Sequence, residues 1–408
     1  MRPVVLIVGT LDTKAGEIAF LRERITAGGC DAIVMDVGVF SQSELDPDIP
    51  RDRVAEAAGR SVREILDLKD RKLAVFTMMK GGAVLARQLL EDDRVSGVVS
   101  CAGGTGTHIA AGLMRSLPVG VPKLMVSTVA SRDVNPIVGD KDITLMNSVV
   151  DLFGDNYLTR RVLAQAAGAI VGMVTAPEVH GSGRPVIALT TFGPLNDAAM
   201  TSTTMLEDLG YEVVPFHAVG AGGMAMEAII EQGVIDGVLD LALHELADHL
   251  YAGYCGNIDR RRLATAGPKK APRVVLPGGL DIIAFETVSR EGVPEQLRDR
   301  KFAPHDFRSF VRTSARDYER LAEDVAERLG RLESPVTFIV PLQGWSKVDM
   351  EGNSFYEPHT NEIFIEKVRH LLPPGVKMLE TDSNINNVQC VKLAVDELLY
   401  LMDGNVDR

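Results

Sequence analysis

Short apolar runs rich in Val, Ile and Leu recur along the chain, and stretches of helical spacing lie between them. Such runs predict buried strands, and their alternation with helices predicts α/β architecture with mostly parallel sheets. In the first half the predicted strands are Val4–Val8, Ala32–Met35, Leu73–Thr77, Gly97–Ser100 and Lys123–Val126. In the second half they are Val186–Thr190, Glu212–Phe216, Gly237–Leu241, Arg273–Leu276, Val336–Val340 and Val376–Leu379. A helix predicted to start at Ala15 sets Ile18, Leu21 and Ile25 on one stripe, the spacing a packed helix needs.

With 408 residues the chain exceeds one typical core and suits two domains. The stretch APEVHGSGRP, residues 176–185, holds two prolines and two glycines and is the predicted linker. It leaves an N-terminal domain of residues 1–178 and a C-terminal domain of residues 185–408. Beyond the linker, VIALTTFGPLNDAAMTSTTMLEDLGYEVVPF repeats the opening order of strand, Thr/Gly turn, helix, glycine and strand. The expected fold is therefore two Rossmann-like or flavodoxin-like α/β domains with mostly parallel sheets.

A net charge of −13 argues against duplex nucleic acid and an anionic membrane surface, and leaves room for a divalent cation. Cys30, Cys101, Cys255 and Cys390 lie far apart with no CxxC, which suits reduced, buried thiols in a cytoplasmic protein. The apolar start is too short for a signal-peptide core, and no stretch approaches the length of a transmembrane helix.

In parallel α/β sheets ligands gather at the carboxyl ends of strands, where helix N-termini present backbone N–H groups. Three first-half loops take such places: Gly9-Thr10-Leu11-Asp12-Thr13-Lys14, Gly103-Gly104-Thr105-Gly106-Thr107, and the turn holding Ser127 and Thr128. Lys14 stands where a Walker A loop needs glycine, so this is no P-loop. Ile109 occupies the third small position of a dinucleotide fingerprint begun at Gly104, which disfavours NAD. What remains is a generic anion cradle: glycines admit close backbone approach and the Thr and Ser hydroxyls donate to phosphate oxygens. In that reading Lys14 neutralises a phosphate and Asp12 holds Mg²⁺ directly or through water. A plain turn stays the alternative for any one loop. Asp36 ends its strand either as an acceptor for ribose hydroxyls or as an exposed strand-end carboxylate, and both readings stay open.

In the second half, LDLALHELADHLYAG comes close to HExxH, but His249 lies about 140° round a helix from His244, and the zincin geometry fails. His244 and Asp248 would share a face; two ligands make no site, and a solvated helical face is expected. Cys255 in GYCGN has no visible partner, and no GxSxG is present. The remaining polar candidates are Thr191, His217, Asp240, Glu245, Asp281, His305, Arg312, Ser346 and Asp349. Asp281 and His305 are the expected substrate-handling groups, with the chemistry at an interdomain cleft.

Taken together, GTLDTKAGE, GGTGT, MRSLPVGVPKLMVSTVAS, GYEVVPFHAVGAGGMAMEAII, GVLDLALHELAD and PLQGWSKVDMEGNSFYEP resemble one family across nearly the whole chain. It is the tomato mosaic virus resistance protein-like (Tm-one-like) ATP-binding family. The resemblance implies an ATP-binding N-terminal domain, a second α/β domain and a homodimer or higher homo-oligomer. It points to Gly9–Lys14, Gly103–Thr107, Ser127 and Thr128 as nucleotide contacts. His108 and Arg132 depart from the family pattern. The expected ligands are ATP with Mg²⁺ and a small molecule, without nucleic acid or membrane. Three functions stand side by side: an ATP-dependent enzyme, a nucleotide-binding regulatory module, and an ATP-independent enzyme acting on a metabolite.

Overall fold

Strand β1 (Val4–Gly9) sends Leu6 and Val8 into one apolar layer and Val5 and Ile7 into another, the period-two alternation of a strand covered on both faces. The computed structural model describes residues 2–41, 45–179 and 181–404. The chain forms two units, Met1–Val179 and His180–Arg408.

In the first unit β1 is followed by α1 (Leu11–Ala27), β2 (Asp31–Asp36), α2 (Arg51–Ala57), α3 (Val62–Asp67) and α4 (Arg71–Glu91). Then come β3 (Gly97–Ala102), α5 (Gly104–Arg115), β4 (Lys123–Ser127), α6 (Asn135–Val138), β5 (Thr144–Asn147) and α7 (Tyr157–Thr175). The five strands form one parallel sheet in the order β2-β1-β3-β4-β5. Helices α1 and α7 pack together on one side, and α2, α4 and α5 on the other.

Two expectations change here. Leu73–Thr77 is helical: Asp70 caps Leu73 N–H at 3.0 Å, and Ala74, Thr77, Met78, Gly81 and Gly82 are buried at three- and four-residue intervals. That periodicity outweighs the strand preference of a five-residue run. At Gly81 a Cβ would lie 1.7 Å from the Val54 carbonyl oxygen, so glycine permits the close α2–α4 approach. Helix α1 begins at Leu11 rather than Ala15, with a break at Lys14 (φ −130°, ψ 21°). Among the described residues α4 is also the one helix long and apolar enough to cross a membrane, and its apolar residues pack on α2 and α5.

The second unit runs β6 (Val186–Thr191), α8 (Asn196–Asp208), β7 (Glu212–His217), α9 (Ala221–Glu231), β8 (Gly237–Ala242), α10 (His244–His249) and β9 (Arg273–Gly278). It continues through β10 (Ile282–Phe285), β11 (Phe302–Pro304), β12 (Ser309–Arg312), α11 (Ala315–Leu329), β13 (Val336–Pro341), α12 (Pro358–Leu371), β14 (Lys377–Thr381) and α13 (Val388–Met402). Six strands make a parallel sheet, β14-β13-β9-β8-β6-β7. A small antiparallel sheet, β10-β12-β11, is added beyond the parallel pattern the sequence predicts. Helix α10 contacts β10, and His244 through Asp248 are all buried. The expected solvated face is thus a core element, because α10 leaves the end of a central strand and β10 packs on it.

Candidate functional site

The first sheet reverses its strand order between β1 and β3, and a ligand crevice is expected outside the carboxyl ends there. The turn after β1 and the first turn of α5 meet at this point. A Cβ on Gly106 would stand 2.8 Å from Ala102 Cβ and 3.4 Å from Thr10 Cγ2, so Gly106 is required for the close approach. Gly9 is similarly confined by Ile18, 2.6 Å from where its Cβ would be. Gly103 and Gly104 are different. Neither adopts a positive φ, and a Cβ would meet nothing nearer than Thr128 Oγ1 at 3.9 Å and Val129 Cγ1 at 4.0 Å. Helix α5 starts at this open place with no side-chain cap, leaving its first N–H groups without intrahelical partners.

Hydroxyls surround that helix end. Thr10 Oγ1 lies 3.1 Å from Thr13 Oγ1, and Arg71 donates to Thr105 Oγ1 at 3.0 Å. Thr107 and Ser127 are buried, with their hydroxyl oxygens 2.7 Å apart, and Val129 N–H donates to Ser127 Oγ at 3.1 Å. These two side chains join the loops after β3 and β4, while Thr128 stands at the open rim. Lys14 is half-buried at the break in α1, its ammonium donating to Thr13 O at 3.4 Å.

Asp12 and Asp36 form the floor on the β2 side. Asp36 Oδ1 accepts Leu11 N–H at 3.1 Å and Gly38 N–H at 2.8 Å, and burial, together with nearby Asp12, raises its pKa. It is 3% exposed, so it is a turn-holding carboxylate rather than the exposed strand-end one considered above. Asp12 Oδ2 accepts from Val39 and Phe40 at 3.0 and 2.8 Å, whereas Asp12 Oδ1 is buried without a hydrogen-bond partner among the described residues. One unshared oxygen fits a single contact to a hard cation. Beside Asp12 and Thr13 a cleft of about 480 Å³ opens along α1 and the start of α7, lined also by Phe20, Phe153 and Arg160. His108 lines a separate groove with Arg71, Lys72 and Phe76.

The second unit gathers its polar candidates into two buried clusters and a rim. In the first cluster Glu245 accepts Gly220 and Gly223 N–H groups at 2.6 and 3.1 Å and Arg262 Nε at 2.6 Å. Arg262 also grips Asp240 with two bonds of 2.7 and 2.8 Å, and Arg273 grips Glu227 with two of 3.0 Å. Burial pushes both acids up; in Asp240 the facing Arg262 and Arg273 outweigh it and its pKa falls, whereas Glu245 stays raised. Asp240 and Glu245 are thus internally paired, through two arginines that sequence reasoning did not connect with them.

In the second cluster Ser346 Oγ donates to Asp281 Oδ2 at 2.6 Å, and Asp349 Oδ2 accepts Asn361 Nδ2 at 2.8 Å and Trp345 N–H at 3.1 Å. Arg312 stands 3.7 Å from Asp349 Oδ1 and donates to Asn361 and to Tyr318, each at 2.6 Å. Asp281 Oδ1 and Asp349 Oδ1 are buried without hydrogen-bond partners among the described residues. Burial, with Asp349 as a like charge, pushes Asp281 up to about 7.

His305 lies elsewhere, exposed on the β11–β12 hairpin with its ring on Phe310 (centroids 4.8 Å). Phe310 meets Phe192 edge-on, and Phe192 stacks on His244 at 3.9 Å. His217 ends β7, and its partial enclosure, Arg308 and His244 all lower its pKa. Cys255, which has no visible partner in sequence, lies in the core with His244 and Asp248, and their ligand atoms are all within 4.8 Å of one another. The signal was the four-residue spacing of His244 and Asp248; the fold-back of the following loop was not legible.

This geometry defines a two-unit parallel α/β protein with polar groups gathered at the carboxyl ends of both sheets. The chain belongs to the Uncharacterised protein family (UPF0261), whose N-terminal domain matches residues 3–179 and whose C-terminal domain matches residues 184–402. A UPF0261 protein of Clostridium tetani is 37% identical over 99% of this chain and 100% of its own length. The ToMV resistance protein Tm-1(GCR237) of Solanum lycopersicum is 30% identical over 98% of this chain and 56% of that protein. Among solved structures, a UDP-N-acetylglucosamine 2-epimerase aligns over 68% of this chain and 79% of that one, at 12% identity and a TM-score of 0.21, a likeness too slight to bear on function.

Proposed function

We propose that the first unit binds ATP with Mg²⁺ through its phosphates, at the uncapped start of α5 between the Thr10 and Thr128 turns. The observation that carries this reading is the pair Gly103–Gly104. Packing and backbone conformation require glycine at neither position. What its absence of a side chain does there is leave N–H groups open to an anion, which the positive end of the helix dipole favours. Lys14 is the neighbouring cation, and Asp12 Oδ1 is the oxygen available to Mg²⁺.

The protein acts, in this proposal, as an enzyme whose second unit handles a small molecule. Asp281, held partly protonated near neutrality by burial beside Asp349, is the group suited to moving a proton. His305 is the exposed group suited to contacting a substrate. Four free, buried cysteines suit a reducing compartment such as the cytoplasm, and self-association is proposed on the family resemblance.

Thermal unfolding with and without ATP·Mg²⁺ tests the binding reading. A ligand held only by the folded state at 100 times its Kd adds about 2.7 kcal/mol of stability, a shift of several degrees. An unchanged Tm at millimolar ATP·Mg²⁺ removes the nucleotide. ATP turnover measured with and without a metabolite library then separates an enzyme from a nucleotide-binding module.

A further inference from the structure

Helix α10 presents His244 and Asp248 one turn apart, both fully buried. The next loop returns Cys255 to the same place. Gly253 and Gly256 permit this: a Cβ on Gly253 would lie 2.9 Å from Asp248 Cγ, and one on Gly256 would lie 2.7 Å from His249 N. The loop is then locked by Gly253 N–H on Asp248 O at 2.8 Å and Tyr254 N–H on Ala284 O at 2.8 Å.

The imidazole of His244 is fixed in position and in tautomer. It stacks on Phe192 with rings 13° from parallel, and Nδ1 lies 3.2 Å from the Ile282 carbonyl oxygen. A carbonyl only accepts, so Nδ1 carries the proton, and in the neutral ring Nε2 presents a bare lone pair. That Nε2 is buried and has no hydrogen-bond partner among the described residues, yet it faces Asp248 Oδ2 at 3.6 Å. Two lone pairs opposed in a dry interior are reconciled by a proton or a metal ion between them. Asp248 is held ready by Ala284 N–H on Oδ1 and Cys255 N–H on Oδ2, each at 2.7 Å. Such outer bonds orient metal ligands. Ligand atoms about 2.0–2.2 Å from a tetrahedral Zn²⁺ are about 3.4 Å apart, near the 3.6 Å between Nε2 and Asp248 Oδ2, and Cys255 Sγ lies within 4.8 Å of both.

We propose that His244 Nε2, an Asp248 carboxylate oxygen and Cys255 Sγ form a Zn²⁺ site. The thiol selects a transition ion over Mg²⁺ or Ca²⁺, and three protein ligands leave one tetrahedral position unfilled. His217, Arg308 and Glu245 are the ionisable groups that face the trio from neighbouring elements: His217 feels His244, and Arg308 and Glu245 feel Cys255. The proposal is independent of nucleotide binding by the first unit.

The test is a titration of the chelator-treated full chain with Co²⁺ and with Zn²⁺, following the sulfur-to-cobalt charge-transfer absorption and the metal content after desalting. The expected result is one equivalent bound with the thiolate band present. Cys255→Ser should abolish the band and weaken Co²⁺ binding more than tenfold. Cys390→Ser, which alters a thiol outside the site, should change neither. His244→Gln, checked for an intact fold by circular dichroism, should weaken binding similarly while Cys255 remains. A folded wild type that takes up neither ion at micromolar concentration would overturn the proposal. So would a Cys255→Ser protein that binds Co²⁺ as tightly as the wild type.

Discussion

The hydroxyl oxygens of Thr107 and Ser127 lie 2.7 Å apart in the protein interior, joining the loops that follow β3 and β4. The contact aligns the first turn of α5 with the rim at Thr128. Removing one hydroxyl deletes this buried bond while Thr107 Oγ1 keeps Ala102 O at 3.4 Å and Ser127 Oγ keeps Val129 N–H, at a cost of about 1 kcal/mol. Thr107→Val and Ser127→Ala should therefore each lower the urea midpoint, and the double variant should fall short of their sum by about 0.5 kcal/mol or more. Strict additivity would mean that the two loops are not coupled through this bond.

Asp281 makes stability depend on pH in a definite direction. Its pKa rises from the ordinary 3.8 to about 7 because it is buried with Asp349 facing it. Between about pH 4 and pH 7 the folded chain thus keeps a proton that the unfolded chain has released, and stability falls as pH rises through that window. Asp281→Asn cannot ionise and should flatten this part of the profile. Denaturant midpoints at half-unit pH steps check it: a variant whose slope equals that of the wild type between pH 5 and pH 7 would show that Asp281 titrates normally.

The sequence carried the parallel α/β class because strands such as Val4–Gly9 and Lys123–Ser127 are apolar on both faces and closed by Gly or Ser. It did not carry Leu73–Thr77 as helix, since four apolar residues and a threonine fit either period until Gly81 and Gly82 extend the helical one. Strand β5 escaped notice because it is short and only half-buried. The chemistry-bearing residues of the second unit were legible as a set of polar types but not as clusters. Arg262 meets Asp240 across 22 residues, and Arg273 meets Glu227 across 46, so burial of both arginines is a product of tertiary structure alone. Helix α10 was misjudged for the same reason: six residues at a strand end look exposed until β10 packs against them.

The Arg262 cluster yields a stability prediction. Glu227, Asp240 and Glu245 set three carboxyl groups against the guanidinium groups of Arg262 and Arg273, all of them buried. Arg262→Met leaves Asp240 and Glu245 without their closest counter-ion, and breaking a buried pair costs about 3–5 kcal/mol. The variant is expected to unfold at markedly lower denaturant or to fail to accumulate. Replacing the exposed neighbour Arg260, whose ion pair with Glu327 is 3.9 Å long at the surface, should change the midpoint little. Equal effects at the two positions would show that the buried network contributes no more than a surface pair.

The most direct measurement of nucleotide binding uses Gly104. A side chain there enters open space beside the first N–H groups of α5, with Val129 Cγ1 4.0 Å from the Cβ position. Alanine should therefore fold with wild-type stability or slightly above it, since glycine gives up more chain entropy on folding, and valine is checked for an intact fold by circular dichroism. Titration calorimetry with ATP·Mg²⁺ on wild type, Gly104→Ala and Gly104→Val should show binding by the wild type, at least tenfold loss in the alanine variant, and none measurable in the valine variant. ATP·Mg²⁺ bound equally by all three folded proteins would contradict a phosphate site at the start of α5.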